Sequence, residues 1–328
     1  MTTRPIDEQL IKYLTDAHSI EEQALVQMRA APDLAGDPRL ADAFRAHLTE
    51  TERHERLVRE RLDAHGASPS KLKDAVMAVG GKGFVLFARS QPDTPGKLTA
   101  HALSYEHLEL ASYELLMRVA RRAGDEETAA IAERIRDEEA AMAQRLEDST
   151  DAAVEASLRE QDPDDLDTQL VKYLSDAHAI EQQAIQLLER APKISGETAL
   201  AHVYEEHLDE TREHSELIAA RLEALGGDTS RLKDAAMRLG ALNWGMFFQA
   251  HPDTPGKLAA FAFAFEHLEI GGYEQLKRVA PWAGDQETAA LADRILQEER
   301  TAAERISSLF DEAVDVSLAA QGVEARSS

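Results

Sequence analysis

Apolar residues recur along this chain at intervals of three and four, the spacing that turns one face of an α-helix toward a core. One such stripe carries Leu10, Leu14, Ala17, Ala24 and Met28. A second carries Leu40, Phe44 and Val58, a third Leu98, Ala102 and Leu116, and a fourth Ile131, Ile135 and Met142. The stripes predict helix A over 6–31, helix B over 38–65, helix C over 94–123 and helix D over 126–158. A shorter helix near 70–89 is expected after the AHGASPS loop. Asp37 before Pro38 gives helix B an N-cap and a first-turn proline. Helices A and B, joined by a short loop, should be antiparallel neighbours, and the short helix reads as the crossover of a bundle with one long connection.

The pattern then starts again. IKYLTDAHSIEEQAL at 11–25 returns as VKYLSDAHAIEQQAI at 171–185, and YEHLELASYELL at 105–116 returns as FEHLEIGGYEQL at 265–276. QPDTPGKL at 91–98 returns as HPDTPGKL at 251–258, and the offset is 160 at every landmark. A period this long marks duplicated domains rather than a solenoid of short repeats. The chain is therefore expected to be all-α: two tandem four-helix bundles over 1–160 and 161–328, joined within EQDPDDLD at 160–167. The PDTPGK segment reads as structural, with Pro and Gly setting a turn and Asp or Thr capping helix C.

The stripes are interrupted by polar residues near mid-helix. Helix A places Glu21 on its seam and copy two repeats it as Glu181. Helix B places His47, Thr51 and His54 there with Glu50 on the flank, repeated as His207, Thr211, His214 and Glu210. Helix C carries Glu109 with Glu106 one stripe over, repeated as Glu269 and Glu266. Helix D carries Glu138 with Glu139 adjacent, repeated as Glu298 and Glu299. An isolated carboxylate in a core costs several kcal/mol, ~3 or more, even after relaxation. Several together require a counter-charge, and the basic residues lie mostly off these seams. One or two cations would supply it, and oxygen with imidazole donors suits iron, manganese or zinc alike.

Each residue also has a plainer reading. A single Glu on a helix of an acidic protein is usually solvated surface, and it is the joint placement on four seams, twice, that argues for metal. His47, His54, His207 and His214 serve either as ligands or as satisfied core residues. His18 and His178 lie beside the helix A seam as supporting or hydrogen-bonded residues, and His107 and His267 point toward helix packing. Tyr113 and Tyr273 return to the face of Glu106 and Glu266, where core packing is the commoner role.

Composition narrows the partners. The 328 residues carry a formal charge of −25, which argues against nucleic acid or an anionic membrane as partner. The chain contains no cysteine, so disulfides, thiol catalysis and thiolate-held iron are excluded within it. MTTRPIDEQL lacks the apolar core of a signal peptide and no apolar run approaches a membrane span, so a cytoplasmic location is expected.

SIEEQAL, HLTETERH, YEHLELASYELL and IRDEEA resemble the YciE/YciF-type ferritin-like bacterial stress proteins, over nearly the whole of each repeat. Members of that family are small bundles similar to rubrerythrin, often dimeric, to which a di-metal site is ascribed and for which no activity is established. The resemblance implies a di-iron or di-manganese site at Glu21, Glu50, Glu106, Glu109 and Glu138 and at their copy-two partners. It also implies that the tandem is a fused dimer with pseudo-two-fold pairing of its halves, open to further homo-oligomerisation. The usual di-iron signature is Glu-x-x-His on two helices. Here helix B offers His47-x-x-Glu50, in reverse, and helix D has no histidine three residues after its Glu. Three functional expectations follow: peroxide or oxygen redox chemistry at the metal pair, a non-catalytic stress protein that buffers metal or is stabilised by it, or a structural helical scaffold whose polar seam is protonated and hydrogen-bonded.

Overall fold

The computed structural model describes residues 5–70, 94–159, 165–227 and 255–323, and all eleven elements among them are helices. Copy one contributes α1 (Pro5–Leu34), α2 (Pro38–Ala64), α3 (Thr94–Ala123), α4 (Glu126–Asp148) and α5 (Thr150–Leu158). Copy two contributes α6 (Leu166–Leu188), α7 (Ala191–Ser195), α8 (Ala199–Ala224), α9 (Pro255–Trp282), α10 (Gln286–Ser308) and α11 (Phe310–Ala320). The short helix expected near 70–89 lies outside the described residues, as do the first residues of the PDTPGK turn.

Local chemistry sets the helix ends. Asp37 accepts from the backbone N–H of Arg39 and Leu40 at 2.9 and 3.2 Å, capping α2. Gly36 before it has a φ of +68°, and a Cβ there would stand 2.6 Å from Pro95, so the turn requires glycine. Asp125 caps α4 through Thr128 and also takes Arg61 and His65 from the end of α2.

Helix D is not one helix. It stops at Asp148, Ser149 caps it with its hydroxyl donating to Arg145 C=O at 2.7 Å, and α5 starts again at Thr150. The break lets Ala153, Val154 and Leu158 turn back into the core, as Ala313, Val314 and Leu318 do in copy two. Helix A differs between copies: α1 runs through Pro32, whereas α6 ends at Leu188 and a separate turn, α7, follows.

Among the described residues four long helices pack in each copy. In copy one α1 lies against α2 and α3, and α4 lies against α3 and α2; α6, α8, α9 and α10 repeat this arrangement. The two copies meet chiefly through α3 and α9. Ser104 donates to Ala264 C=O, Gln275 donates to Gly96 C=O, and Ala100 lies beneath Gly271. Partner numbers fall on one helix as they rise on the other, so α3 and α9 are antiparallel. Contacts also come in pairs related by the 160-residue offset. Lys97 pairs with Asp176 and Lys257 with Asp16, while Arg118 pairs with Asp311 and Arg278 with Asp151. The rings of His107 and His267, equivalent residues, stack on each other at 3.4 Å. A pseudo-two-fold axis therefore passes by that stack. The largest apolar cluster runs unbroken from Leu10, Leu14 and Leu116 to Leu174, Tyr204 and Leu276.

Candidate metal centre

In the middle of each bundle the apolar core gives way to carboxylates and imidazoles with almost no solvent contact. In copy one Glu21 comes from α1, His47 and His54 from α2, Glu106 and Glu109 from α3 and Glu139 from α4, and none is more than 1% exposed. His47 and His54 are seven residues apart, two helical turns, so both rings enter the same space. Glu106 and Glu109, three apart, do likewise from the opposite helix.

These side chains form two overlapping groups. Donor atoms of His47, Glu106, Glu109 and Glu139 lie within 4.8 Å of one another, and so do those of Glu21, His54 and Glu139. Glu139 belongs to both, as a carboxylate between two adjacent cations would. Copy two repeats the arrangement with His207, Glu266, Glu269 and Glu299, and with Glu181, His214 and Glu299.

The atoms converge within contact distance but out of line for hydrogen bonds. His47 Nε2 is 3.0 Å from Glu106 Oε2 and 3.3 Å from Glu139 Oε2, and His54 Nδ1 is 2.7 Å from Glu139 Oε1. Yet these inner ring nitrogens, both oxygens of Glu106 and of Glu139, and one oxygen each of Glu21 and Glu109 lack a hydrogen-bond partner among the described residues. Buried polar atoms are rarely orphaned in folded proteins. A cluster of orphans aimed at shared space fits a cation that each would ligate.

Each imidazole is held from behind. His47 Nδ1 lies 3.0 Å from Glu50 Oε2, and His54 Nε2 lies 2.6 Å from Glu138 Oε2. An ionised carboxylate only accepts, so these outer nitrogens carry hydrogen, and the neutral ring then turns its lone pair inward. Arg145 reaches Glu50, and Arg53 and Arg134 reach Glu138. Copy two keeps both struts, His207 to Glu210 and His214 to Glu298.

The electrostatics are those of anions crowded out of water. Burial raises Glu21 to about 8, with His54 opposing and Glu139 reinforcing, and raises Glu106 to about 7. Burial followed by Glu139, Glu21 and Glu106 pushes Glu109 well up. Burial works against charge on His54, but Glu139 and Glu21 outweigh it and raise the ring to about 9. His47 is raised likewise against burial, by Glu106 and Glu139. Glu139, between the two rings, is the carboxylate they hold well below the usual range despite its burial.

The structure brings Glu21, His47, His54, Glu106 and Glu109 together, with their copy-two equivalents. It places Glu50, Glu138, Glu210 and Glu298 at the rim, part-exposed, against the backs of the histidines. The carboxylate that enters from α4 is Glu139, and from α10 it is Glu299. A signal for them was present in the series Ile135, Glu139, Met142, Leu146, spaced four, three and four, all fully buried. Tyr113 and Tyr273 donate hydrogen bonds to Glu21 and Glu181. His107 and His267 donate from Nδ1 to Leu103 C=O and Phe263 C=O and serve the stack between copies. His18 turns away from the centre, 3.0 Å from Glu55.

The two centres share six donor residues each but not every neighbour. Tyr105 in copy one, donating to Ile20 C=O, corresponds to Phe265. Phe44 corresponds to Tyr204, whose buried hydroxyl has no hydrogen-bond partner among the described residues.

Among the described residues no helix is long and apolar enough to cross a membrane. No solved structure matches the chain. Among curated proteins it is similar to Protein YciF of Escherichia coli (strain K12), 30% identical over 156 residues, which cover 45% of this chain and 92% of YciF. The family model described as a domain of unknown function, DUF892, matches twice, over 6–159 and 165–319. With both repeats matched nearly end to end, the chain belongs to the DUF892 family as a tandem, YciF-type member.

Proposed function

We propose that each repeat holds a dinuclear metal centre and that the chain is a ferritin-like stress protein acting on peroxide or oxygen. The observation that carries this reading is the pair of overlapping donor groups hinged on Glu139 and on Glu299, buried and without hydrogen-bond partners. Four carboxylates with two neutral imidazoles balance the charge of two divalent cations. Mixed oxygen and nitrogen donors suit iron and manganese, and zinc would also be held. A bound iron or manganese pair would supply the electron exchange that peroxide or oxygen chemistry needs.

The chain's own residues have assignable tasks. Glu50 and Glu138 fix the tautomer and orientation of His47 and His54. Tyr113 holds Glu21 by its Oε1, and Oε2 is left without a hydrogen-bond partner among the described residues. Glu109, three residues from Glu106 on the same helix face, would hold the cation beside it and supply the fourth carboxylate charge. The packed seams above and below exclude bulk water. No cysteine-held iron is available in this chain to pass electrons in, which favours peroxide dismutation or an external donor.

Metal analysis of untagged protein tests the reading, alongside Glu139→Gln/Glu299→Gln. Each repeat should retain two iron or manganese ions, most of them lost in the variant. Peroxide consumption should follow the metal. Near-zero metal after anaerobic reconstitution with iron or manganese sinks the centre. Bound metal without turnover sinks the redox part and leaves metal buffering.

A further inference from the structure

Copy one carries a second collection of donors outside its core. On α1, His18 and Glu22 are one turn apart on the same face, and Glu55 stands opposite on α2. Their donor atoms lie within 4.8 Å of one another. We propose that His18, Glu22 and Glu55 form a separate mononuclear site for a divalent transition-metal cation, present in copy one and absent from copy two.

The geometry separates this site from the central one while keeping the two adjacent. Glu22 follows Glu21 and Glu55 follows His54, so each helix sends one residue inward and the next into the groove between α1 and α2. His18 and Glu55 are buried, 3% and 8% exposed, while Glu22 is half-buried and reaches the surface. The site is therefore open to water on one side, as a three-ligand cation site with room for water should be.

The charges leave one carboxylate, Glu22, without a counter-charge among the described residues. Arg59 pairs with Glu55 Oε2 at 3.1 Å and neutralises that one carboxylate. Glu55 Oε1 and His18 Nε2 are hydrogen-bonded to each other at 3.0 Å, a contact that a cation between them would replace. Glu22 has neither a hydrogen bond nor an ion pair among the described residues, although it is partly withdrawn from water beside another carboxylate. A cation bound by one imidazole and two carboxylates would satisfy it, and that donor set suits Zn²⁺, Mn²⁺ and Fe²⁺.

The second copy supplies an internal comparison. It keeps the histidine, His178, but has Gln182 for Glu22, Ser215 for Glu55 and Ala219 for Arg59. Both carboxylates and the arginine are gone together. Gln182 instead donates to the Ser215 hydroxyl at 2.6 Å, a neutral pair closing the same groove. The six central donor residues are the same in both copies, so this loss of carboxylates belongs to the groove and not to the central donor set.

The test gives copy one the residues copy two already uses. Metal-free full-length protein and Glu22→Gln/Glu55→Ser are each titrated with Zn²⁺ and with Mn²⁺, and bound metal is counted after gel filtration. The wild type should bind one ion more than the double variant. Glu22→Gln alone, at a half-exposed position, should keep the fold and weaken that extra ion by about tenfold or more, the effect of removing one charged ligand. Equal stoichiometry and affinity in all three proteins overturns the proposal. The count left in the double variant reports the central pairs separately, so an extra ion can be gained or lost whether or not the dinuclear reading holds.

Discussion

Glu138 and Glu139 are joined by one peptide bond but meet different environments. The carboxylate of Glu138 faces Arg53 and Arg134 at the rim, and burial, which opposes its charge, is outweighed by His54 and those guanidinium groups, so it is held low. Glu139 and the other central carboxylates face the two imidazoles and one another, with Tyr113 donating to Glu21 and no guanidinium among the groups acting on them. Metal-free protein should therefore hold protons that the unfolded chain releases. Glu21 and Glu181 stay protonated up to about 8, Glu106 and Glu266 up to about 7, and His54 and His214 up to about 9. With more protons bound folded than unfolded, stability present below about pH 4.5 is lost as pH rises toward 9, at up to ~1.4 kcal/mol per pH unit for each such group. Glu139 and Glu299, held low, act in the opposite direction only in the acid range. A bound cation reverses the trend, because ligands must shed protons to coordinate. Thermal melts with chelator should fall from pH 5 to 9, while the margin added by Mn²⁺ widens; a margin that narrows would contradict this linkage.

At the scale of elements, each functional helix is positioned by its ends. Asp125 is the densest junction: it caps α4, bonds Thr128 twice and clamps Arg61 and His65 at the end of α2. This ties the helix that presents the two imidazoles to the helix that presents Glu139. Asp37, by contrast, is a cap with one exposed arginine near it. Asp125→Ala should cost about 2 kcal/mol, at the high end for a cap, and Asp37→Ala about 1. Urea denaturation of both variants checks the order. Equal costs would mean that the α2–α4 clamp contributes nothing beyond the cap.

At the scale of the whole molecule, the halves are held by a close antiparallel crossing of α3 on α9. A Cβ at Gly271 would stand 3.0 Å from Ala100 Cβ and 3.1 Å from its Cα, whereas one at Gly272 meets only Ile180 at 3.7 Å. Gly271→Leu should force the helices apart and cost about 1–3 kcal/mol or more. Gly272→Ala, in open helix, should stabilise by about 0.5–1 kcal/mol. Denaturation midpoints of the two single variants should move in opposite directions, and a shared direction would place the crossing elsewhere.

Helical class, the 160-residue duplication and a polar break in four seams were legible in the chain itself, because each depends on local spacing that one helix displays alone. Helix A to helix C starts were likewise readable from Asp37, Pro38 and the apolar period. Tertiary structure decided the rest. Residues 138 and 139 both satisfy the three-and-four spacing, and only the rotation of α4, set by packing Ala132, Ile135, Met142 and Leu146 inward, chooses between them. The end of α4 at Asp148 follows from the pull of Val154 and Leu158 toward the core. That His54 aims inward with Glu138 behind it depends on side chains 84 residues apart meeting. Periodicity specifies which face of a helix is buried; which atom points at which is settled only when the helices are locked against one another.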